Sequence, residues 1–68
     1  MSRRRYEFRV SGWLSERASG AFTDLVVMPA PPETILYGDI EDEAQLHGVL
    51  ATMQDLGLRV VSLHEVPD

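Results

Sequence analysis

The second half of the sequence, residues 34–66, has the pattern of one strand–helix–strand unit. Residues 34–38 form a short β-prone run, residues 42–56 have helical spacing, and residues 58–66 are again rich in β-branched side chains. A helix that joins two strands of one sheet must pack on that sheet, and the sheet needs at least one further strand. The first half of the chain must therefore supply the rest of the sheet.

The first half contains two further strand candidates and a short helix. Residues 6–13 alternate between apolar and polar side chains, which predicts a strand with Phe8 and Val10 toward a core. Ser15 is the predicted N-cap of a short helix whose apolar stripe includes Phe22. Residues 25–28 predict a second strand that ends at Pro29, because proline cannot donate to a strand ladder. Such a strand is favoured at a sheet edge.

The helix in residues 42–56 has predicted signals at both ends. Asp42 is its N-cap and Gln45 stands where a capping-box partner belongs. Gly57 stands where a left-handed residue ends a helix. Its apolar residues recur at helical spacing and form one stripe: Leu46, Val49, Leu50, Met53 and Leu56.

These elements together predict an α+β fold of the ferredoxin-like β-α-β-β-α-β type. Two interleaved right-handed crossovers give a four-stranded antiparallel sheet with two helices on one face. A chain of 68 residues has room for one domain. We expect that domain to span residues 6–68, with residues 1–5 as a flexible N-terminal tail.

The charge and composition exclude several classes of function. The net charge is −5, so binding to nucleic acid is not expected. The basic run Arg3, Arg4 and Arg5 could touch an acidic partner or nucleic acid, but a solvated tail is the simpler interpretation. No apolar run is long enough to span a membrane, and no secretory signal follows the arginines. We therefore expect a cytoplasmic protein. With no cysteine, the chain has neither a disulfide nor a thiolate metal site, and we expect no cofactor.

The predicted sheet leaves one face without a helix, and that face is the main candidate for function. The first strand suggests that Glu7, Arg9 and Ser11 lie there, but the other strands carry apolar residues on both sides. A second copy covering this face would explain the excess of apolar residues, and it predicts a homodimer. The predicted interface contains Trp13, Val26, Met28, Leu36 and Val60. The alternative is that these are ordinary scattered surface residues.

Candidate chemical sites are few. His47 beside Gly48 could contact a ligand, but a structural boundary residue is the favoured interpretation, as a surface residue is for His64. A metal site needs three or four convergent ligands, which no local spacing provides. The acidic residues at the start of the second helix, Asp39, Glu41, Asp42 and Glu43, are expected to stabilise that helix rather than to catalyse a reaction. No catalytic residue is assigned.

The segments Leu46-His-Gly-Val-Leu and Asp55-Leu-Gly-Leu-Arg-Val-Val-Ser-Leu resemble a group of short, mostly actinobacterial proteins of unknown function. The resemblance extends to residues 6–14, Phe22 and Gly38. It implies the same fold and says almost nothing about activity. One departure is the first helix, where the relatives usually carry tryptophans and this chain has Ala18 and Ala21.

Three functions remain open at this point. The first is a small non-catalytic interaction or accessory module that self-associates. The second is a small-molecule-sensing domain similar to amino-acid-binding regulatory domains of the same topology, which would place a ligand at Ser11, Gly12 and Trp13 with His47. The third is a small enzyme with an interfacial active site that uses His47. Whether the chain is an enzyme is left undecided by its sequence.

Overall fold

The computed structural model describes residues 3–67 and has six elements in the predicted order. The strands are β1 (Arg4–Ser11), β2 (Val26–Ala30), β3 (Glu33–Ile40) and β4 (Val60–Val66), and the helices are α1 (Glu16–Gly20) and α2 (Glu43–Asp55). The strands form one sheet in the order β2-β3-β1-β4, with every neighbouring pair antiparallel. The chain is therefore an α+β domain with a four-stranded antiparallel sheet and two helices.

The first strand begins at Arg4, two residues before the predicted start. Arg4 and Arg5 pair with Ile40 and Asp39 of β3, so these two residues of the predicted tail belong to the sheet. Their side chains, and that of Arg3, form ion pairs with acidic residues of the same chain, at Asp39, Glu41 and Glu65. Met1 and Ser2 lie outside the described residues.

The core lies between one face of the sheet and the helical segments. Phe8 and Val10 of β1, Leu36 of β3 and Met53 of α2 are fully buried. Phe22 also joins this core, but it lies beyond the end of α1, which itself contributes no buried residue. The short first helix therefore covers the sheet mainly through residues that flank it, and α2 supplies most of the helical packing.

The ends of α2 match the sequence prediction. Asp42 Oδ1 accepts a hydrogen bond from the Gln45 amide at 2.8 Å, and Gln45 Oε1 accepts one from the Glu41 amide at 2.8 Å. At the other end Gly57 has φ 72°, and the Leu58 amide donates to the Met53 carbonyl at 2.9 Å. The bond at Gly57 is that of a Schellman motif. The pair of bonds at the start of α2 resembles a capping box, except that Gln45 Oε1 accepts from the amide of Glu41, the residue before the N-cap, instead of from that of Asp42.

The second strand continues through Pro29 to Ala30, so the expectation that proline ends it is wrong. Its place in the sheet is the reason. In the described part of the chain β2 is an edge strand that pairs only with β3, and a proline at a sheet edge does not interrupt a central ladder. The predicted edge position of this strand is confirmed.

Candidate functional site

The face of the sheet without helices is defined by the strand register. Residues directly opposite each other on antiparallel strands point to the same side. Glu7 is opposite Tyr37, and Tyr37 is opposite Val26; Arg9 is opposite Ile35, and Ile35 is opposite Met28. Phe8 and Leu36 lie under α2. The residues of these opposite pairs alternate with them along the strands, so the pairs lie on the other side of the sheet, which we call the uncovered face.

The uncovered face has an apolar half on its β2 side. We call Val26, Met28, Ile35 and Tyr37 the apolar patch. Val26 is 51 % exposed and Met28 is 45 % exposed, whereas Ile35, flanked across the strands by Met28 and Arg9, is only 7 % exposed. The patch therefore presents two large exposed apolar side chains around a shielded centre.

The other half of the uncovered face is a charged strip made of Arg5, Glu7, Arg9 and His64. The charges of Glu7 and of the two arginines are paired with one another and with neighbouring acids. Glu7 Oε2 lies 3.2 Å from Arg9 Nε and 3.5 Å from His64 Nε2. Arg9 also contacts Glu33, and Arg5 contacts Asp39. The apolar patch is thus bordered by a polar strip whose charges already have partners.

Two of the five predicted interface residues are on the wrong side of the sheet for this face. Leu36 is fully buried in the core, because it pairs with Phe8 under α2. Val60 pairs with Val10 and so points to the helix side, 38 % exposed at the edge strand β4. The strands around these two residues carry apolar side chains on both sides, so the sequence does not show which side of the sheet each residue faces. Ile35 and Tyr37 take the place that Leu36 was predicted to fill.

Trp13 lies just beyond β1 and is 75 % exposed. The backbone before it is held firmly. Gly12, with φ 82°, donates its amide proton to the Pro32 carbonyl at 2.9 Å, and its carbonyl accepts a bond from Thr34 Oγ1 at 2.7 Å. The Ser11 amide donates to the Arg59 carbonyl at 2.9 Å. An exposed indole is therefore carried on a fixed turn.

The predicted ligand-binding residues are not brought together. His47 is exposed in the second turn of α2, and the start of that helix shares a small cleft with Arg4 and Ile40. Ser11 is the last residue of β1, at the opposite end of that strand, and Trp13 lies two residues beyond it; the amides of Ser11 and Gly12 are already bonded within the chain. The predicted ligand-binding residues line none of the three main clefts among residues 3–67: Ser11, Gly12, Trp13 and His47. The ligand site at this turn stays a prediction, without a cleft to hold a ligand.

Among the described residues no three metal-ligating side chains lie close enough together to hold a metal ion. Within residues 3–67, no helix combines the length and the apolar character that crossing a bilayer requires. The features that remain are surfaces, namely the apolar patch, Trp13 and the clefts beside α2.

Residues 5–64 match the family described as Domain of unknown function (DUF8691). The chain belongs to this family. The match runs from β1 into β4 and so covers both helices, β2 and β3, and all but the outer ends of β1 and β4 in the DUF8691 domain. No curated protein and no solved structure matches the chain. The family therefore identifies a domain and leaves its activity to be argued from the surfaces.

Proposed function

We propose that this DUF8691 domain is a small non-catalytic module that self-associates through its uncovered face. The observation that carries the proposal is the apolar patch, where Val26 and Met28 stand exposed on the same face as Ile35 and Tyr37. Exposed apolar residues that are contiguous rather than scattered usually mark an interaction surface.

The charged strip beside the patch supports this proposal. Protein interfaces commonly have an apolar centre and a polar rim. Glu7 and Arg9 are paired with each other, and His64 lies against Glu7, so the strip can border an interface without leaving an unpaired charge buried at its centre. Trp13 adds an aromatic side chain of the type that often anchors interfaces.

A second copy is the occupant we favour, because of the size of the chain. A domain of 68 residues buries only about 60 % of the surface that its unfolded chain exposes. Small domains frequently gain additional core by oligomerising. A two-fold axis would bring two identical apolar patches together and bury both at once.

The matched variants Val26→Asp and Val61→Asp test the proposal. Both valines are about half exposed, at 51 % and 50 %, but Val61 lies on β4, away from the patch. Multi-angle light scattering over a range of micromolar concentrations should give a dimer mass for the native chain and for Val61→Asp. Val26→Asp should weaken the dimer by about tenfold or more, since a charge in an apolar interface must be desolvated.

A native chain that stays monomeric throughout that range would end this proposal. A dimer that Val26→Asp and Val61→Asp weaken equally would move the interface away from the apolar patch.

We also propose that the arrangement is ferredoxin-like in full. The strand order β2-β3-β1-β4 and the fully antiparallel pairing support it, since two interleaved crossovers give this order. The five-residue α1 is shorter than such a crossover usually contains. Backbone amide contacts measured by NMR would test whether the segment between β1 and β2 crosses the sheet as the proposal requires. The cytoplasmic location and the actinobacterial relatives remain predictions.

A further inference from the structure

A cleft lies on the helix-covered side of the sheet, between α2 and the segment that connects α1 to β2. Its volume is about 310 Å³, and it is lined by residues 21–25 and by four residues of α2. This volume is at the lower end of the range of about 300–1,000 Å³ that is typical of small-molecule pockets. The apolar patch is on the opposite side of the sheet, so self-association through the uncovered face leaves this cleft open to solvent.

The walls of the cleft are apolar and are held in place by the core. Phe22 and Leu25 are buried members of the core, and Val49 packs against it. On the α2 side, the Gln45 side chain is fixed by the hydrogen bond that its Oε1 accepts from the Glu41 amide. The cleft is therefore largely formed before any ligand arrives, as small-molecule sites usually are.

Gly48 widens this cleft, which we call the Gly48 cleft. The residue lies inside α2, where glycine is less favourable than alanine. A Cβ atom added there would meet nothing within 4 Å, so no close packing inside the described chain explains the glycine. The missing side chain leaves room for a group from outside the chain, and a large residue at position 48 would occupy that room.

Asp24 is the only charged residue that lines the Gly48 cleft, and it is exposed. Arg3 and Arg5, which line the adjoining cleft together with Asp24, pair with Asp39 and Glu41 instead. The Asp24 carboxylate is thus available to a cation from solution, and a charge-assisted hydrogen bond from an ammonium group is the contact that suits it. The net charge of −5 also raises the local concentration of cations around the chain.

We infer that the Gly48 cleft binds a small primary amine whose apolar body is about the size of one aromatic ring. The ring packs among Phe22, Leu25 and Val49, and the ammonium group donates to the Asp24 carboxylate. No basic residue lines the cleft, so nothing in it would pair with the carboxylate of a free amino acid. The ligand class is therefore an amine without an acidic group.

Phenethylamine is the probe, and NMR titration of the native chain is the measurement. The amide resonances of Gly48 and Val49 should shift saturably with a Kd in the millimolar range. Nuclear Overhauser effects should connect the probe ring to Phe22 and Leu25. Phenethyl alcohol has the same size without the charge, and it should bind about three- to fivefold more weakly, which is the factor expected for one exposed ion pair.

Two pairs of variants test the two ends of the ligand. Asp24→Asn should weaken phenethylamine about three- to fivefold and leave phenethyl alcohol unchanged. Its control, Asp55→Asn, changes the net charge equally at a carboxylate that lines none of the three clefts, and it should bind like the native chain. Gly48→Leu fills the cleft and should abolish saturable binding of both probes. Gln54→Leu, exposed on the same helix and outside the clefts, is its control.

Three outcomes would overturn the inference. The first is a native chain whose Val49 amide does not shift with up to about 10 mM phenethylamine. The second is equal binding of the two probes, or an Asp24→Asn variant that binds phenethylamine like the native chain, since the cleft would then not select an amine. The third is a Gly48→Leu variant that still binds. If that variant does not fold by circular dichroism, Nuclear Overhauser effects from the probe to residues other than Phe22 and Leu25 would overturn it instead.

These outcomes are independent of the proposed self-association. The cleft and the apolar patch lie on opposite sides of the sheet, so a monomeric native chain should bind phenethylamine as a dimeric one does. Light scattering of the titrated samples reports the oligomeric state separately, and its failure to show a dimer would leave the amine site standing.

Discussion

At the scale of single residues, Gly38 shows how closely β3 packs against the segment before β2. A Cβ atom at this position would lie 2.9 Å from the Asp24 carbonyl oxygen and 2.9 Å from Leu25 Cδ2. The first neighbour is backbone and cannot move aside easily. We expect Gly38→Ala to cost about 1–3 kcal/mol of unfolding free energy, which thermal denaturation would show as a lower Tm.

Gly20→Ala is the control for this substitution. Gly20 is the last residue of α1, and an added Cβ atom would meet nothing within 4 Å. The Tm of the Gly20→Ala variant should therefore equal that of the native chain or be slightly higher. Equal losses for both variants would mean that the close approach at Gly38 does not constrain the fold.

At the scale of elements, the N-cap of α2 stabilises its helix through contacts between residues that are close in sequence. Asp42 accepts the Gln45 amide, and its charge also favours the positive end of the helix. We expect Asp42→Ala to lower stability by about 0.5–2 kcal/mol, measured by urea denaturation.

Asp55→Ala removes the same charge from the last residue of α2 and serves as the control. A carboxylate there opposes the helix dipole, so its loss should leave stability unchanged or slightly higher. If Asp42→Ala were as stable as Asp55→Ala, the cap would contribute nothing measurable.

The elements that sequence reasoning placed correctly are those with local signals. Ser15, Asp42 and Gly57 each bond to backbone groups within a few residues, so the sequence around them carries the information. The strand ends are different. Arg4 belongs to β1 because Ile40 is its partner, and Pro29 is tolerated because no strand within residues 3–67 lies outside β2. Such facts depend on residues far away along the chain.

At the scale of the whole molecule, the two faces of the sheet could not be assigned from sequence. Val26 and Val27 are chemically identical, and only the register with Tyr37 and Leu36 decides which of them is covered. The same holds for Leu36, which was predicted on the uncovered face and is buried in the core. A chain with apolar residues on both sides of its strands leaves this choice to long-range pairing.

The whole molecule also links folding to association. If two copies share the apolar patches, unfolding releases both chains, and mass action makes stability depend on protein concentration. Each tenfold rise in concentration should then add about 1.4 kcal/mol of unfolding free energy for the dimer. Scanning calorimetry should show the Tm of the native chain rising with concentration, whereas the Tm of Val26→Asp should stay constant in the range where that variant is monomeric. A native Tm that does not change over a hundredfold range would show that the fold is complete without a partner.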